Sequence, residues 1–597
     1  MKNINVVLAQ PGYRSGPAHL NNWYLPYAIG CLWAHAIHDP IVRNNTTVID
    51  WVWHRLEPEV LVQKWQKVDV LFCSVYIWNE NYCSALSQAV KSKWPDAVVI
   101  WGGPQCDHSN DDIFKLKPFI DVIAVSEGEQ TFHELCVSLI NDEPLDEIQS
   151  CVINQQQKVK RNPLRHRSNL DNYPSPYLSG VFDSIIEQNP TVSWSVILET
   201  NRGCPYSCTF CDWGSLTASK VKKFKLDKVL AEIEWFAEKK ISFIMTADAN
   251  FGIFEERDVE IAKAMKKSKE KNPNLHGITL SFLKNKTDSI ISVAREVKDL
   301  MHNGVTLSVQ SLDPHTLKII KRDNMEINDI GALMKKLTEE GIGYYTELIL
   351  GLPGETLESW KQNIWKLYEA GFHKGIAVYQ LVLTPNTEMH RQQKEEHQIV
   401  TRNVPVITTD NYIEEFAPTV VSSKTMPYQD YLDAWVFTKV QNILHCTGFS
   451  LDASVACNQK GIGFEKFYDT LKYNLNQHSS WQEVIKNMTD LFDKVFSEDN
   501  QSVTEKQIDA MSYLYVIKNR ELFFDCVDKT LAHYNIENKQ DIIKHAKALV
   551  YDPLQPHLWP QTVENKTYYY AGLPVENAEE YIDLQTHRRN SIFVKVK

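Results

Sequence analysis

The chain has 597 residues, of which 43% are hydrophobic and 23% charged, and its formal net charge is −12. This length and composition predict several globular domains with apolar cores, and the negative charge argues against nucleic acid as a partner, because nucleic acids bind basic faces. The 12 cysteines are scattered except for one triplet, as is typical of reduced thiols in a cytoplasmic protein. The chain begins with a strand-like run, without a signal-peptide core or an apolar stretch of membrane-spanning length, so we expect no membrane association.

Residues 1–150 alternate short strands rich in Val and Ile with helical stretches. This alternation predicts an α/β fold with a doubly wound, Rossmann-like parallel sheet, which binds ligands at the carboxyl ends of its strands. The predicted strands are Ile4–Ala9, Thr47–Asp50, Val68–Val75, Ala97–Trp101 and Val122–Val125, and the predicted helices are Tyr27–His38, Pro58–Gln66 and Asn79–Trp94.

Three of these strand ends carry loops that suit a bound ligand. They follow the first, third and fourth strands, and glycine in such a loop lets the backbone approach a ligand closely. The loop residues selected as ligand contacts are Gln10, Tyr76, Trp78, Gly102, Gly103 and Pro104.

This domain resembles the cobalamin-binding domain that precedes many radical S-adenosylmethionine (SAM) domains, in the runs Leu25–Gly30, Asp69–Tyr76, Trp101–Pro104 and Glu127–Phe132. The resemblance implies cobalamin as a cofactor, contacted by the loop residues above. The motif D-x-H-x-x-G, which gives cobalt a histidine ligand in other cobalamin proteins, is absent from the sequence. We therefore expect no histidine below cobalt and expect Tyr76 or Trp78 on that side of the corrin. Two alternatives are that both aromatic residues pack in the core, or that the domain has lost its cofactor.

Residues 151–190 are predicted to form a linker. Arg161–Arg167 is basic and polar, and Leu170–Tyr177 contains two prolines, which a helix interior does not tolerate. A similar segment precedes the radical domain in the same group of proteins, so we expect these residues to seat one domain on the other.

Residues 191–400 contain six strand–helix units, which predict a partial (β/α)6 TIM barrel with its chemistry at the carboxyl ends of the strands. The predicted strands are Ser195–Thr200, Ser242–Ala247, Gly277–Ser281, Val305–Gln310, Tyr344–Leu350 and Ile376–Leu383.

The loop after the first of these strands holds Cys204, Cys208 and Cys211 in a C-x-x-x-C-x-x-C array. Three thiolates hold three irons of a [4Fe–4S] cluster and leave the fourth iron open to a small molecule. The alternatives are a zinc site, for which no fourth ligand lies nearby in sequence, and ordinary buried thiols.

The triplet, with the aromatic Phe210 before its last cysteine, resembles the signature of the radical SAM superfamily. The resemblance implies a [4Fe–4S] cluster and SAM as cofactors, cleavage of SAM to a 5′-deoxyadenosyl radical, and an electron donor of the flavodoxin or ferredoxin type. It also implies SAM contacts at the strand ends, where each polar candidate has an alternative as a surface or capping group. The candidates are Phe210, Asp248, Asn250, Ser308, Gln310, Arg322 and Glu347.

Residues 401–597 are predicted to form a mainly helical domain that covers the substrate. The run 411–422 is expected to extend the radical domain, and Cys446, Cys457 and Cys526 are spaced as core thiols rather than as ligands of a second cluster. The predicted elements are the helices Tyr428–Leu444, Trp481–Phe496 and Glu505–Arg520 and strands near Tyr568–Tyr570 and Ser591–Val596.

Three functions fit these features. The favoured one is a cobalamin-dependent radical SAM methyltransferase that methylates an unactivated carbon of a small molecule or peptide, with methylcobalamin as the methyl donor. The second keeps both cofactors but catalyses a cyclisation, a rearrangement or a redox step. The third, a cobalamin or cluster sensor, is disfavoured because a sensor has no need of an open iron. Methyl transfer also requires the loops 76–79 and 102–105 to face the loop 204–211 across one pocket. No catalytic side chain is assigned from the sequence.

Overall fold

The computed structural model describes most of the chain. The described residues are 1–14, 21–166, 169–213, 220–373, 375–406, 413–496, 512–513, 516–550, 561–563, 566–570 and 592–596.

The N-terminal part forms a seven-stranded sheet in the order β3-β1-β4-β5-β6-β7-β8. The first five strands in this order are parallel, as predicted, and the last two add an antiparallel hairpin. The strands are β1 (Ile4–Ala9), β2 (Asn22–Tyr24, which joins another sheet), β3 (Thr46–Val52), β4 (Val70–Ser74), β5 (Val98–Gly102), β6 (Val122–Ala124), β7 (Cys151–Gln155) and β8 (Lys158–Arg161).

Helices cover both faces of this sheet because alternate residues of its strands point to opposite sides. Val7 and Ala9 belong to one apolar cluster, whereas Val6 and Leu8 belong to the other. The helices are α1 (Tyr27–Ala36), α2 (Pro40–Asn45), α3 (Pro58–Gln63), α4 (Glu80–Lys93), α5 (Ile113–Leu116) and α6 (Glu129–Asn141).

The order of the parallel strands reverses direction between β1 and β4. In doubly wound sheets the ligand crevice lies at such a reversal, outside the carboxyl ends of the strands. Gln10 follows β1 and Tyr76 follows β4, so both lie beside this crevice.

The second unit contains all six predicted barrel strands, divided between two parallel sheets. One sheet has the order β13-β12-β9-β2 and the other the order β14-β15-β16, and no described hydrogen-bond ladder joins β13 to β14. The described strands thus form no closed barrel, which agrees with the predicted partial one. The strands are β9 (Ser193–Leu198), β10 (Asn201–Arg202), β11 (Lys222–Lys223), β12 (Phe243–Thr246), β13 (Gly277–Thr279), β14 (Val305–Gln310), β15 (Tyr344–Leu350) and β16 (Ile376–Gln380).

Helices alternate with these strands. Helix α13 begins with a capping box, in which Thr356 and Ser359 bond each other's backbone N–H groups. The helices are α7 (Asp183–Gln188), α8 (Leu226–Glu238), α9 (Glu255–Lys271), α10 (Thr287–Val297), α11 (Pro314–Ile319), α12 (Ile327–Glu339) and α13 (Leu357–Glu369).

A hairpin then extends the second barrel sheet. Leu381 and Leu383, just past β16, bond Val420 and Pro418 through their backbones, as expected for an extension of the radical domain. The hairpin is β17 (Val400–Val406) and β18 (Glu415–Ser422), preceded by α14 (Lys394–Glu396).

The remainder is mainly helical, as predicted. The prediction for Glu505–Arg520 lies largely outside the described residues, whereas the two predicted terminal strands are present in a three-stranded sheet. The elements are α15 (Tyr428–Gln441), α16 (Leu451–Gln459), α17 (Phe464–Asn476), α18 (Ser479–Val495), α19 (Arg520–His533), α20 (Lys539–Leu549), β19 (Gln561–Val563), β20 (Lys566–Tyr570) and β21 (Ile592–Val596).

Two features differ from the sequence-based expectation. The hairpin β7–β8 continues the first sheet to Arg161, inside the predicted linker, because its main-chain groups complete the edge left open at β6. Strand β2 leaves the first domain and pairs with β9. Among the described helices, none is both long and apolar enough to cross a membrane.

Candidate active site

A cavity of about 260 Å³ lies at the carboxyl ends of the barrel strands, and we call it the cluster lobe. Its walls come from the loops that follow β9, β12 and β13 and from the ends of β14 and β15. All three cysteines of the triplet line it, together with most of the predicted SAM contacts. The predicted residues that line it are Cys204, Cys208, Cys211, Phe210, Asn250, Ser308, Gln310, Arg322 and Glu347.

The cysteine loop is fixed by its own backbone. Gly203 has a φ of +111°, which favours glycine, and a Cβ there would lie 3.2 Å from the carbonyl oxygen of Lys220. Thr209 donates its N–H to Ile320 at 3.1 Å, and its carbonyl accepts from Met389 at 2.9 Å. These contacts position the backbone that carries the three cysteines.

Asp248 supports this loop from below instead of lining the cavity. Its carboxylate is fully buried and accepts from the N–H groups of Thr200 and Asn201 at 2.7 and 3.0 Å and from the Thr200 hydroxyl at 2.5 Å. Burial raises the pKa of Asp248 to about 7, against these hydrogen bonds, which lower it. This position does not support the predicted contact of Asp248 with SAM. It supports a role for Asp248 in positioning the backbone that leads into the cysteine loop.

Two cations face the cysteine sulfurs. Lys284 Nζ lies 3.7 Å from Cys208 Sγ and 4.5 Å from the centre of the Tyr206 ring. Burial lowers the pKa of the Lys284 ammonium, and Arg322 lowers it further. Sequence reasoning missed Lys284 and selected no residue from the third barrel strand, although the same strand-end rule, applied to the run after β13, points to it.

Arg322 is buried behind Cys208. Its Nη1 lies 3.9 Å from Cys208 Sγ, its Nε donates to Asn324 at 2.9 Å, and its Nη2 donates to the Ser308 carbonyl. Because two of its three nitrogens are bound within the protein, the guanidinium is not open to pair bidentately with the SAM carboxylate. It still brings a positive charge to the sulfur.

A bulge in β14 directs Gln310 into the cavity. The register between β14 and β15 shifts between Ser308 and Gln310, and Gln310 has a φ of +64°, an uncommon value for a side-chain-bearing residue. Glu347 accepts from the Ser308 hydroxyl at 2.6 Å and faces Gln310 Nε2 at 3.5 Å. These three polar residues form one wall of the cavity.

The cysteine arrangement fits a cluster better than a single metal ion. Within the described ranges, no group of three or more His, Cys, Asp or Glu side chains is placed to hold one ion, which disfavours the zinc alternative. In a [4Fe–4S] cluster each cysteine binds a different iron, so the sulfurs need not converge on one point. Asn250 Nδ2 lies 3.3 Å from Cys204 Sγ and adds a donor beside it.

The predicted cobalamin contacts lie along the carboxyl edge of the first sheet. Tyr76 and Trp78 stack with ring centres 4.4 Å apart and an interplanar angle of 8°. Both side chains are half-buried at the strand-order reversal, so they present a flat aromatic surface that fits a planar macrocycle. Neither is packed wholly in the core, which was one of the alternatives.

The other predicted residues at this edge stabilise its loops. The Gln10 side chain accepts from Ala28 N at 2.9 Å and so caps α1. Gly103 has a φ of +109°, and a Cβ there would lie 2.4 Å from the Val75 carbonyl oxygen, so this glycine allows β4 and the loop after β5 to pack closely. Pro104 follows in the same loop, and Gly102 ends β5.

Buried contacts join the two domains beside the cysteine loop. Arg202, in this loop, pairs with Glu129 at 2.6 Å and with Glu199 at 2.8 Å. The Tyr27 hydroxyl donates to Glu199 at 3.1 Å. Asn386 donates to the Cys106 carbonyl at 2.7 Å. Three residues later, Met389 donates its backbone N–H to the Thr209 carbonyl.

Comparison with known proteins identifies the family. The model of the Radical SAM superfamily matches residues 198–364. The cobalamin-dependent radical SAM methyltransferase TokK of Streptomyces tokunonensis is 33% identical over 79% of this chain and 70% of its own length.

The chain belongs to the cobalamin-dependent radical SAM methyltransferases.

A second member of the family, 2-(S-pantetheinyl)-carbapenam-3-carboxylate methyltransferase of Streptantibioticus cattleyicolor, is 32% identical over 75% of this chain and 67% of its own length. Two solved structures share the fold. The match with TsrM from Kitasatospora setae covers 72% of this chain and 88% of the TsrM chain, with a TM-score of 0.53 and 14% identity. The match with OxsB covers 98% of this chain and 84% of the OxsB chain, with a TM-score of 0.54 and 12% identity.

Family membership confirms several sequence-based predictions. The cofactors of this methyltransferase are a [4Fe–4S] cluster, SAM and cobalamin, and the chain is an enzyme, not a sensor. A methylating function is supported over a non-methylating one by the two relatives. Among the C-terminal cysteines, Cys457 and Cys526 are fully buried in the apolar core, as expected for core thiols.

Proposed function

We propose that this enzyme methylates an unactivated carbon of a small molecule bound between the cluster lobe and the Tyr76–Trp78 edge. The proposal rests on two hydrogen bonds made by one short segment. Asn386 donates to the Cys106 carbonyl, and Met389 donates its N–H to the Thr209 carbonyl. These bonds support an arrangement in which the loop after β5 and the cysteine loop border one space. Burial raises the pKa of Tyr76, and the Glu199 carboxylate raises it further, which supports the same proximity.

The proposed roles follow from position. Cys204, Cys208 and Cys211 hold the cluster, and the polar wall of Ser308, Gln310 and Glu347, with Phe210, Asn250 and Arg322, surrounds SAM. Gln10, Tyr76, Trp78, Gly102, Gly103 and Pro104 border cobalamin, with an aromatic residue and not a histidine below cobalt. The domain boundaries at 150, 190 and 400 stay predictions.

The chain's own side chains control charge and water in this space. When bound, the cofactors supply the electron that cleaves SAM and the methyl group that is transferred. Lys284 and Arg322 offset the negative charge of the sulfurs and of an anionic ligand beside them, in surroundings where burial strengthens such interactions. Phe210 and Trp213 line the cavity and reduce its access to water, which protects a reactive radical.

The first substrate to test is 2-(S-pantetheinyl)-carbapenam-3-carboxylate, the compound in the name of the relative from Streptantibioticus cattleyicolor. A small molecule is favoured over a peptide because the compound in that relative's name is a small molecule. The net charge of −12 supports the absence of a nucleic-acid partner. We further propose a cytoplasmic enzyme that takes its electrons from a flavodoxin or ferredoxin.

The test is product analysis with reconstituted protein, SAM, a reductant and this substrate. We expect a product heavier by one methylene group, with equal amounts of 5′-deoxyadenosine and S-adenosylhomocysteine, because one SAM supplies the radical and another the methyl group. Formation of 5′-deoxyadenosine and altered substrate without S-adenosylhomocysteine would instead support the cyclisation, rearrangement or redox alternative.

A further inference from the structure

A second space adjoins the cluster lobe on the side of the last barrel strand, and we call it the outer lobe. Its volume is about 330 Å³, and it shares Phe210, Cys211, Gln310 and Glu347 with the cluster lobe. Its remaining polar lining comes from Asp212, directly after the last cysteine, from Tyr379 and Gln380 at the end of β16, and from Thr384 beyond it. The two lobes therefore share one wall.

The outer lobe contains hydrogen-bond acceptors that lack donors. Asp212 Oδ1 and Gln310 Oε1 are buried, and neither has a hydrogen-bond partner in the described part of the chain. Thr384 is a hydrogen-bond partner of the Asp212 carboxylate, and Gln310 is buried, with 9% of its surface exposed. An unpaired buried acceptor destabilises a protein, so native proteins usually give it a partner.

The charge of the two lobes differs. Lys284 and Arg322 line only the cluster lobe, and the described lining of the outer lobe includes no Lys or Arg. The two buried oxygens without a partner in the described part of the chain, Asp212 Oδ1 and Gln310 Oε1, can only accept hydrogen bonds. An anionic group is therefore excluded from the outer lobe, and a group that donates hydrogen bonds is favoured.

We propose that the outer lobe is the subsite for one arm of the substrate and that Asp212 Oδ1 and Gln310 Oε1 accept hydrogen bonds from a neutral amide N–H or hydroxyl of that arm. This inference rests on the proposed methylation of a small molecule. The pantetheinyl arm of the substrate put forward above carries both kinds of donor and no charge. Its carboxylate would then lie toward Lys284 and Arg322 in the cluster lobe.

The test measures binding of S-methylpantetheine, a neutral probe without the carbapenam, to the reconstituted holoenzyme by calorimetry. Asp212→Leu removes the acceptor, and we expect the Kd of the probe for this variant to rise about 5- to 150-fold. This is the range that results when one buried hydrogen-bonding group is left unpaired. Asp212→Asn keeps a carbonyl acceptor, so its Kd should stay within about threefold of wild type. Asp288→Asn, whose side chain is 89% exposed, is the surface control.

Two readouts exclude damage to the neighbouring cluster. Iron content and the visible absorbance of the cluster should match wild type in both Asp212 variants. The inference is overturned if wild type does not bind the probe, or if Asp212→Leu binds it as tightly as wild type. If Asp212→Asn and Asp212→Leu weaken probe binding equally, the inference is also overturned, because that result indicates that Asp212 pairs with a cationic group. If the probe binds through Asp212 but no methylated product forms, the proposed function fails and the subsite stands.

Discussion

Lys284 brings a positive charge to the sulfur of Cys208, at 3.7 Å. We predict that Lys284→Met slows reductive cleavage of SAM by about tenfold or more, because a hydrogen bond to a charged group contributes about 1.5–3 kcal/mol. The measurement is the rate of 5′-deoxyadenosine formation at saturating reductant. Iron content should not change, because Lys284 is not a ligand.

Lys286, two residues further along, gives a matched control. It donates to the Ile253 carbonyl at an exposed position and does not line the cluster lobe. Lys286→Met should therefore cleave SAM at the wild-type rate. Equal rates for the two Met variants would contradict the role assigned to Lys284.

His445 is a fully buried imidazole in the C-terminal domain. It lies 3.1 Å from His373 Nδ1 and 2.7 Å from the Tyr468 hydroxyl, and Tyr368 stacks on its ring. Burial lowers the pKa of His445 well below its usual value, and His373 lowers it further. The histidine is therefore neutral in the folded protein.

This histidine makes the stability of the fold depend on pH. A lowered folded-state pKa gives stability that is present above about pH 6.5, the unfolded value, and is lost as the pH falls below it. We predict that the melting temperature decreases from pH 7 to pH 5, with a loss of up to about 1.4 kcal/mol per pH unit for this proton. His445→Gln should make this dependence shallower, whereas the exposed control His276→Gln should leave it unchanged. The same slope in all three proteins would refute the assignment.

At the scale of elements, an ion pair joins the hairpin β17–β18 to the first domain. Arg55 and Glu415 lie 3.0 Å apart, with side-chain exposures of 0% and 1%. Glu415 also accepts from the N–H groups of Asn81 and Tyr82 at the start of α4. Arg55 donates to the Trp78 carbonyl, so this contact also positions the stacked aromatic pair.

Breaking this pair on one side should be costly. We predict that Arg55→Met destabilises the protein by about 3–5 kcal/mol, because it leaves the Glu415 carboxylate buried without its cation. The double variant Arg55→Met/Glu415→Gln removes both charges, keeps an acceptor for α4 and should recover much of that loss. Thermal unfolding measures both, and Arg295→Met, in the exposed pair with Glu340, is the control. A double variant no more stable than Arg55→Met would contradict this explanation.

At the scale of the whole molecule, local patterns predicted most elements but not the contacts between domains. Strands such as β1, β14 and β15 were predicted at their observed bounds, because buried parallel strands are short apolar runs. Strand β2 was missed because Asn22–Tyr24 is three residues long and is a strand only through its pairing with β9. Likewise, the C-x-x-x-C-x-x-C spacing revealed the cysteines, whereas the unpaired oxygen of Asp212 could be seen only in the packed structure.

The pairing of β2 with β9 also joins the two domains. Strand β2 lies in the first domain by sequence, yet it forms the edge of the barrel sheet beside β9. Tyr177, from the predicted linker, stacks on Tyr27 and donates to the Ile197 carbonyl at 2.5 Å. These contacts fix the cysteine loop relative to the carboxyl edge of the first sheet.

Electron paramagnetic resonance of the doubly loaded protein shows whether cobalamin and the cluster border one substrate space. Methyl transfer requires reacting atoms within about 3–3.5 Å, so both cofactors must flank the same substrate carbon. We predict that Co(II) cobalamin and the reduced cluster broaden or split each other's signals. We also predict that the variant with Cys204, Cys208 and Cys211 changed to Ala loses its iron and gives an isolated Co(II) signal. A wild-type spectrum equal to the sum of the two singly loaded spectra would contradict the account.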